Sequence, residues 1–252
     1  MGDSTLDPAG PDAAQWERRA KSFGTQAANY ARGRPTYPLA AVRFALAGEA
    51  DRSPRVLDLA AGTGKLTQRL LELGCDVVAV EPLDAMRALI PAEAHPMAGT
   101  AEAIPLAAGS VDAVVVGQAW HWFDTVPATA EVVRVLRPGG RVGALWNMYD
   151  VSDPLSAAIA KAAGALSSDD EGLEQGPPWP ADSGIADPEL GAFTGTDVYD
   201  RDRLLAYAAS HSWVIESDEP DRERIFAGLR DLAPPGEFTV VEKCTVWRGR
   251  RS

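Results

Sequence analysis

The stretch RVLDLAAGTGKLT, residues 55–67, joins three local patterns that together predict a strand, a tight turn and a helix. Its first five residues are mostly Val and Leu, with Asp58 among them. Small residues follow at 60–64, and leucines then recur with helical spacing from residue 66 to residue 73. A turn without large side chains lets backbone N–H groups approach a ligand, and the helix N-terminus adds partial positive charge. We therefore expect this turn to bind a nucleotide-like molecule.

Apolar strands and helices alternate on the C-terminal side of this stretch. We expect strands at 55–59, 76–80, 96–99, 110–116 and 141–146, with helices at 64–73, 84–90 and 125–136. Two more strands are expected at 193–199 and 238–247, the last one antiparallel to its neighbour. Strands that are apolar throughout predict a sheet covered on both faces. The expected fold is α/β, a Rossmann-like doubly wound sheet of about seven mostly parallel strands with a helical cap and lid.

The length of 252 residues fits one domain with additions. We divide it into an N-terminal helical cap at 1–50, a core at 51–149, a lid insertion at 150–190, and a C-terminal part at 191–252 that completes the sheet. The lid is inferred from a change in character after residue 150, where an alanine-rich helical segment and the motif GPPWP interrupt the alternation.

Composition and charge disfavour several classes of partner. The net charge of −12 would repel nucleic acid over most of the surface. The two cysteines form no cluster with histidine, so no metal site is expected. The N-terminus lacks an apolar signal core and no apolar run reaches membrane-spanning length, so we expect a cytoplasmic protein without a membrane partner. We expect it to be a monomer or a homodimer.

The motif GTGKLT fails two phosphate-binding signatures. A P-loop needs Ser or Thr directly after Lys65, where the chain has Leu66. A dinucleotide fingerprint read from Gly62 needs a third glycine where Thr67 stands. A looser pattern remains, in which an acidic residue precedes small residues at alternating positions. Glu81 ends the next strand, where a carboxylate can accept hydrogen bonds from both ribose hydroxyls of S-adenosylmethionine (SAM) or of NAD.

Four segments resemble consecutive motifs of the class I SAM-dependent methyltransferases: VLDLAAGTGKLT, VAVEPLDAMR, GTAEAIPLAAGSVDAVVVGQAWHWFD and VLRPGG. The upstream segment FGTQAANYARGRPTYP and the HWFD segment resemble the small-molecule branch that includes trans-aconitate methyltransferase-like enzymes. The resemblance is close over residues 22–146 and extends to the remainder only in layout. It implies SAM as the cofactor and a small-molecule methyl acceptor, with transfer to oxygen favoured over nitrogen or carbon.

The resemblance also implies a role for each motif residue. Asp58 and the backbone of Ala60, Ala61, Gly62, Thr63 and Gly64 would hold the methionine part of SAM, and Glu81 its ribose. Pro82 and Leu83 would pack on the adenine, with Ala101 and Glu102 at the adenine edge and Gln118 beside the sulfonium. Tyr30, Arg34 and Tyr37 would close over the cofactor, with Arg34 a candidate partner for its carboxylate.

Three questions stay open at this level. Ala60 stands where glycine is commoner in this motif. The added methyl group should cost little free energy unless the backbone needs a positive φ. His121 is a candidate general base for a hydroxyl acceptor, or it only shapes the pocket between two tryptophans. An acidic acceptor would need a positive site, for which Arg32 and Arg34 are the nearest candidates.

Two rival functions also remain. The first is a SAM-binding protein that does not catalyse methylation and serves as a regulator or scaffold. The second is an NAD-dependent oxidoreductase, which the missing third glycine disfavours.

Overall fold

A computed structural model of the chain describes residues 31–48, 53–165 and 175–252. The expected cofactor residue Tyr30 and most of the expected N-terminal cap lie outside these residues. The helices are α1 (Leu39–Leu46), α2 (Lys65–Glu72), α3 (Asp84–Arg87), α4 (Thr125–Val135), α5 (Pro154–Ala162), α6 (Arg201–Ala209), α7 (Ser212–Glu216) and α8 (Glu219–Leu232). The strands are β1 (Arg55–Leu59), β2 (Asp76–Val80), β3 (Val111–Gly117), β4 (Leu136–Tyr149), β5 (Ile185–Tyr199) and β6 (Phe238–Arg251).

The six described strands form one sheet in the order β2-β1-β3-β4-β6-β5. The first three pairings are parallel, whereas β6 runs antiparallel to both β4 and β5. The predicted Rossmann-like α/β fold with an antiparallel last strand is therefore confirmed. In such a sheet, ligands bind beyond the carboxyl ends of the parallel strands.

The strand expected at 96–99 is absent as an element, which is why the described sheet has six strands. Only Met97 pairs with the edge of β2, donating its N–H to Ala79 O at 2.8 Å and accepting from Glu81 N at 3.0 Å. Pro96 has no N–H to donate to a ladder. The pairing therefore ends after one residue.

The central strand β3 explains why these segments are apolar throughout. Val114 and Val116 pack into the hydrophobic cluster on one face of the sheet, and Ala113 and Val115 pack into the cluster on the other. A strand that is covered on both faces must be apolar at every position. Because both faces of the sheet are covered, polar side chains can lie at its carboxyl edge instead.

The segment after β4 packs onto the sheet through its described residues. Trp179 is buried and meets Trp120 with ring centroids 5.5 Å apart. Strand β5 begins at Ile185, within the segment expected to form the lid. Helices α5, α6 and α8 contribute to a third hydrophobic cluster, together with Tyr149 and Tyr199.

Candidate functional site

The turn between β1 and α2 occupies the carboxyl edge of the sheet and has an unusual backbone. Gly62 and Gly64 have φ values of 58° and 83°. These left-handed conformations favour glycine. The N–H of Ala61 donates to Val80 O at 3.1 Å, which ties the turn to the end of β2. A backbone hydrogen bond to the neighbouring strand therefore fixes the turn at the sheet edge.

Ala60 adopts the same left-handed conformation, with a φ of 57°. The sequence analysis expects the alanine to cost little unless the backbone at this position needs a positive φ. The backbone does need one, so the methyl group of Ala60 destabilises the folded protein. A left-handed conformation costs a non-glycine residue about 1–2 kcal/mol. Strain of this kind collects at ligand-binding turns.

Glu81 braces the turn from the next strand. Its Oε2 accepts from Gly62 N at 2.9 Å and its Oε1 accepts from Leu83 N at 2.9 Å. The side chain is buried, and burial raises the pKa of Glu81 while the two backbone N–H groups oppose that rise. Each carboxylate oxygen can accept a second hydrogen bond. Glu81 can therefore hold the turn and still accept from two hydroxyl groups of a ligand.

Asp58 presents an unsatisfied acceptor. Its Oδ2 accepts from Thr67 Oγ1 at 2.5 Å, whereas its Oδ1 is buried and has no hydrogen-bond partner among the described residues. Burial raises the pKa of Asp58 to about 7, with the Thr67 hydrogen bond opposing and the charge of Glu81 adding to the rise. A buried acceptor without a donor is costly. The Oδ1 atom of Asp58 can thus accept a hydrogen bond from a cationic donor such as an ammonium group.

Two adjoining cavities meet at the turn. The smaller encloses about 440 Å³, including space open to solvent, and has Asp58 and Arg34 in its wall. The larger encloses about 840 Å³ on the same measure and has Glu81 in its wall. Both are lined by Ala60, Gly62, Gly117 and Gln118. Of the other predicted residues, Ala61, Thr63 and Tyr37 line the smaller cavity, and Pro82, Leu83, Ala101 and Glu102 line the larger one. Gly64 forms the N-cap of α2 just behind the turn.

Gln118 lies at the junction of the cavities and is fixed there. Its backbone has a φ of 57°, its N–H donates to Leu145 O at 2.8 Å, and its Nε2 donates to Asn147 O at 2.5 Å. Next to it, a side chain on Gly117 would come within 2.5 Å of the Tyr37 hydroxyl oxygen. The junction is therefore narrow, with the Gln118 amide and the Tyr37 hydroxyl as polar groups in its wall.

The predicted cap residue Arg34 is anchored to the far end of the chain. Its Nε donates to Ser210 Oγ at 3.0 Å and its Nη2 donates to Ser210 O at 3.2 Å. The guanidinium also lies 5.6 Å from the centre of the Tyr207 ring. The described part of the cap is thus held against α6.

Two polar residues of the smaller cavity are not predicted from the sequence. Lys65 begins α2, and Asn147 lies near the end of β4, where its Nδ2 donates to Thr36 O at 3.1 Å. Asn147 could have been noticed as the one amide in the otherwise apolar run ALWNMY. The sequence alone gives Lys65 no role beyond its place in a P-loop-like pattern.

His121 lies away from the two cavities. Its side chain is exposed, its ring centroid is 4.8 Å from that of Trp122, and it lines neither cavity, whereas Trp122 and Phe123 line the larger one. The part of the chain that the structure describes contains no cluster of ligands for a metal ion. No helix within that part is both long and apolar enough to cross a membrane.

Comparison with known proteins identifies the family. The methyltransferase domain family matches residues 57–143. An uncharacterised methyltransferase-like protein from Schizosaccharomyces pombe is 31% identical in an alignment over 225 residues that covers 84% of this chain and 86% of that protein. This chain belongs to the methyltransferase family. The class I, SAM-dependent methyltransferase predicted from the motifs is confirmed, with SAM as its cofactor; the trans-aconitate methyltransferase-like branch stays a prediction.

Other similar proteins are consistent with this methyltransferase assignment. An uncharacterised methyltransferase from Mycobacterium tuberculosis is 56% identical over 133 residues, 51% of this chain, and the match spans only 53% of that protein. The solved structure of a type II methyltransferase candidate from Anaeromyxobacter dehalogenans superimposes with a TM-score of 0.61. At 24% identity, with 86% of this chain and 97% of that chain covered, it supports the fold.

The strain at Ala60 predicts a stabilising substitution. Ala60→Gly should raise the free energy of unfolding by up to about 1 kcal/mol, because glycine relieves the left-handed strain but loses more entropy on folding. Urea unfolding of the ligand-free protein measures this. The matched control is Ala88→Gly, at an exposed position with a φ of −63°, which should lower stability. Equal effects at the two positions would contradict strain at Ala60.

The raised pKa of Asp58 predicts that the free energy of unfolding falls as the pH rises. The folded protein holds the Asp58 proton more tightly than the unfolded chain, so this contribution to stability is full below the unfolded pKa and is lost as pH rises through about 7. Asp58→Asn should therefore gain about 2–4 kcal/mol over wild type near pH 8 without ligand, and much less near pH 4. It should also lose affinity for SAM. A stability difference between the two proteins that does not change with pH would contradict the assignment.

Proposed function

We propose that this methyltransferase transfers a methyl group from SAM to a small-molecule acceptor, with an oxygen atom as the favoured target. The observation that carries the proposal is that two acidic side chains meet the turn. One is Asp58, whose buried Oδ1 has no hydrogen-bond partner among the described residues, and the other is Glu81, which follows the neighbouring strand. These two groups face different cavities, which meet at Gln118. Two acidic groups in adjoining cavities suit a ligand with an ammonium at one end and a ribose at the other.

The residues present fit SAM at each end. In the smaller cavity Asp58 would accept from the α-ammonium, and Arg34 would lie near the carboxylate. In the larger cavity Glu81 would accept from the ribose hydroxyls, while Pro82 and Leu83 pack on the adenine and Glu102 lies at its edge. The Glu102 carboxylate also accepts from Asp124 N at 3.1 Å, which orients it. When bound, SAM supplies an electrophilic methyl group on a sulfonium.

The work left to the protein is alignment and exclusion of water. Gln118 is fixed by its two hydrogen bonds at the junction of the cavities, where the methyl group would lie. The Tyr37 ring lies close against the backbone at Gly117 and would restrict the directions from which an acceptor can approach. Alignment of this kind is a large part of the rate enhancement in two-substrate reactions. Methyl transfer from SAM would need neither a metal ion nor a covalent nucleophile from the chain.

Each part of the chain would have its own role in this reaction. We propose one methyltransferase domain in which residues 1–50 cap the cofactor, residues 51–149 bind it, residues 150–190 form the lid, and residues 191–252 complete the sheet. The anchoring of Arg34 on Ser210 supports a cap that closes against the C-terminal part. The acceptor would enter between them.

Glu81→Ala tests the cofactor assignment. SAM affinity should fall by about 10- to 100-fold, the usual loss for hydrogen bonds to a charged group. Calorimetric titration with SAM, with its demethylated product and with NAD measures it. The wild-type protein should bind the first two and not NAD, and binding of NAD alone would overturn the proposal. Labelled SAM with a metabolite extract separates catalysis from mere SAM binding, because a non-catalytic protein would leave no labelled product.

His121→Gln tests whether this histidine is the general base. Since its side chain lies outside both cavities, turnover should stay within about twofold of wild type, whereas losing a general base costs about 100-fold or more. The matched control is His95→Gln, which alters a second exposed histidine. A large loss of turnover for His121→Gln alone, with SAM affinity unchanged, would restore the base role.

A further inference from the structure

Strand β5 forms one edge of the sheet. It pairs only with β6, so its other side has no neighbouring strand among the residues that the structure describes. Val198 shows which residues face that outer side, because its N–H donates to Asp197 Oδ1 at 2.9 Å and its carbonyl accepts from Arg203. Residues of an antiparallel ladder point alternately toward one neighbour and toward the other. The backbone groups of every second residue therefore face outward: Leu190, Ala192, Thr194, Thr196 and Val198.

Four of these five residues have outward backbone groups without a partner. Hydrogen bonds occupy both groups of Val198, whereas the outward N–H and C=O groups of the other four bond no residue that the structure describes. The side chains of the four are exposed, on the face of the sheet away from α1. An exposed edge of this kind can pair with a strand of another chain.

The two ends of β5 are protected against pairing, but its middle is not. Near the start, Pro188 has no N–H to donate, and the ladder is irregular just before Glu189. Near the end, the carbonyl of Val198 already accepts from Arg203. Bulges, prolines and charged side chains are the usual means of blocking an edge strand. The middle, residues 190–196 with the sequence LGAFTGT, contains neither a proline nor a charge.

We propose that two copies of this chain form a dimer by antiparallel pairing of their β5 strands, centred on Phe193. The four open residues are then paired with one another, Leu190 with Thr196 of the second copy and Ala192 with Thr194 of the second copy. Each of these pairs exchanges two backbone hydrogen bonds, about eight in all. Every open group of the middle segment is thereby satisfied.

The neighbouring positions fit a second copy in this register. A shift by two residues in either direction would place an open residue opposite Pro188 or Val198, which cannot complete the ladder. On the face toward α1, Gly191 lies opposite Gly195, so no side chains collide there. The Phe193 rings of the two copies become neighbours, and aromatic cross-strand pairs stabilise a sheet.

The charges next to the middle segment are already balanced within each copy. Glu189 accepts from Arg248 at 2.7 Å, and Asp197 accepts from Arg203 at 2.6 Å. In the dimer, Glu189 of one copy lies opposite Asp197 of the other, and each acid brings its own arginine. The net charge of −12 opposes contact between copies over much of the surface. The uncharged segment with its balanced ends is a surface on which two acidic chains can meet.

Sedimentation velocity of the full-length protein over a dilution series tests the inference. The wild type should sediment as a dimer at the higher concentrations and dissociate on dilution. Thr194→Lys should weaken the dimer by about tenfold or more, because it adds a charge to the edge and brings the lysines of the two copies close together. Gln68→Lys is the matched control. It adds the same charge at an exposed position on α2, which contacts β2 at the opposite edge of the sheet, and it should dimerise as wild type does.

Cysteine cross-linking tests the register. Ala192→Cys and Thr194→Cys are made in separate proteins, because these positions face each other across the dimer. Their Cα atoms should lie about 5.5 Å apart, within the range of a disulfide. Oxidation of an equal mixture should give several-fold more disulfide-linked dimer than either variant alone. The native cysteines Cys75 and Cys244 are buried and should not contribute.

Three results would overturn the inference. The wild type stays monomeric at every concentration, a folded Thr194→Lys dimerises as tightly as wild type, or the mixture cross-links no faster than the separate variants. The first result would mean that something other than a second copy covers this edge, or that nothing does. Circular dichroism checks that Thr194→Lys is folded. If that variant fails to fold, the cross-linking result decides, since it uses only small substitutions at exposed positions.

Discussion

The site depends on one buried carboxylate that joins two neighbouring strands. Glu81 directly follows β2, and its side chain accepts the N–H of Gly62 from the turn after β1 and the N–H of Leu83 from the segment after β2. The turn has three left-handed residues, and backbone carbonyls accept the N–H groups of Ala61 and Gly64, whereas the Gly62 N–H is accepted by Glu81, which therefore helps to hold the shape of the turn. Because Glu81 is both this brace and a wall of the larger cavity, the shape of the turn and the position for a ribose are set together.

The free protein stores unfavourable free energy where the cofactor would bind. Asp58 is buried with one oxygen that has no partner among the described residues, and Ala60 is strained. Each would gain from a ligand of complementary charge or shape, so binding would recover part of what folding loses. The same groups would serve specificity, since a ligand lacking the matching charge leaves them unsatisfied. Stability and function are therefore opposed at this turn.

Long-range contacts close the smaller cavity. Arg34 reaches Ser210, and Thr36 accepts from Asn147 near the end of β4. These pairs join the described part of the N-terminal cap to the C-terminal half of the chain, across 176 and 111 residues of sequence. The wall opposite the turn is thus built from segments that no local pattern connects. This explains why no local sequence pattern predicts Asn147 as a site residue.

The sequence by itself determined the alternating α/β fold, the turn at 60–64 and the acidic residue at the end of the second strand. Apolar periodicity and small-residue spacing are local properties, and they decide which segments become strands, turns and helices. The tertiary structure alone decided that residues 96–99 pair through Met97 only, that Ala60 is left-handed, and that His121 lies outside both cavities. Backbone strain, burial and the partners of a charge depend on segments far apart in the chain, and these meet only when the sheet is assembled.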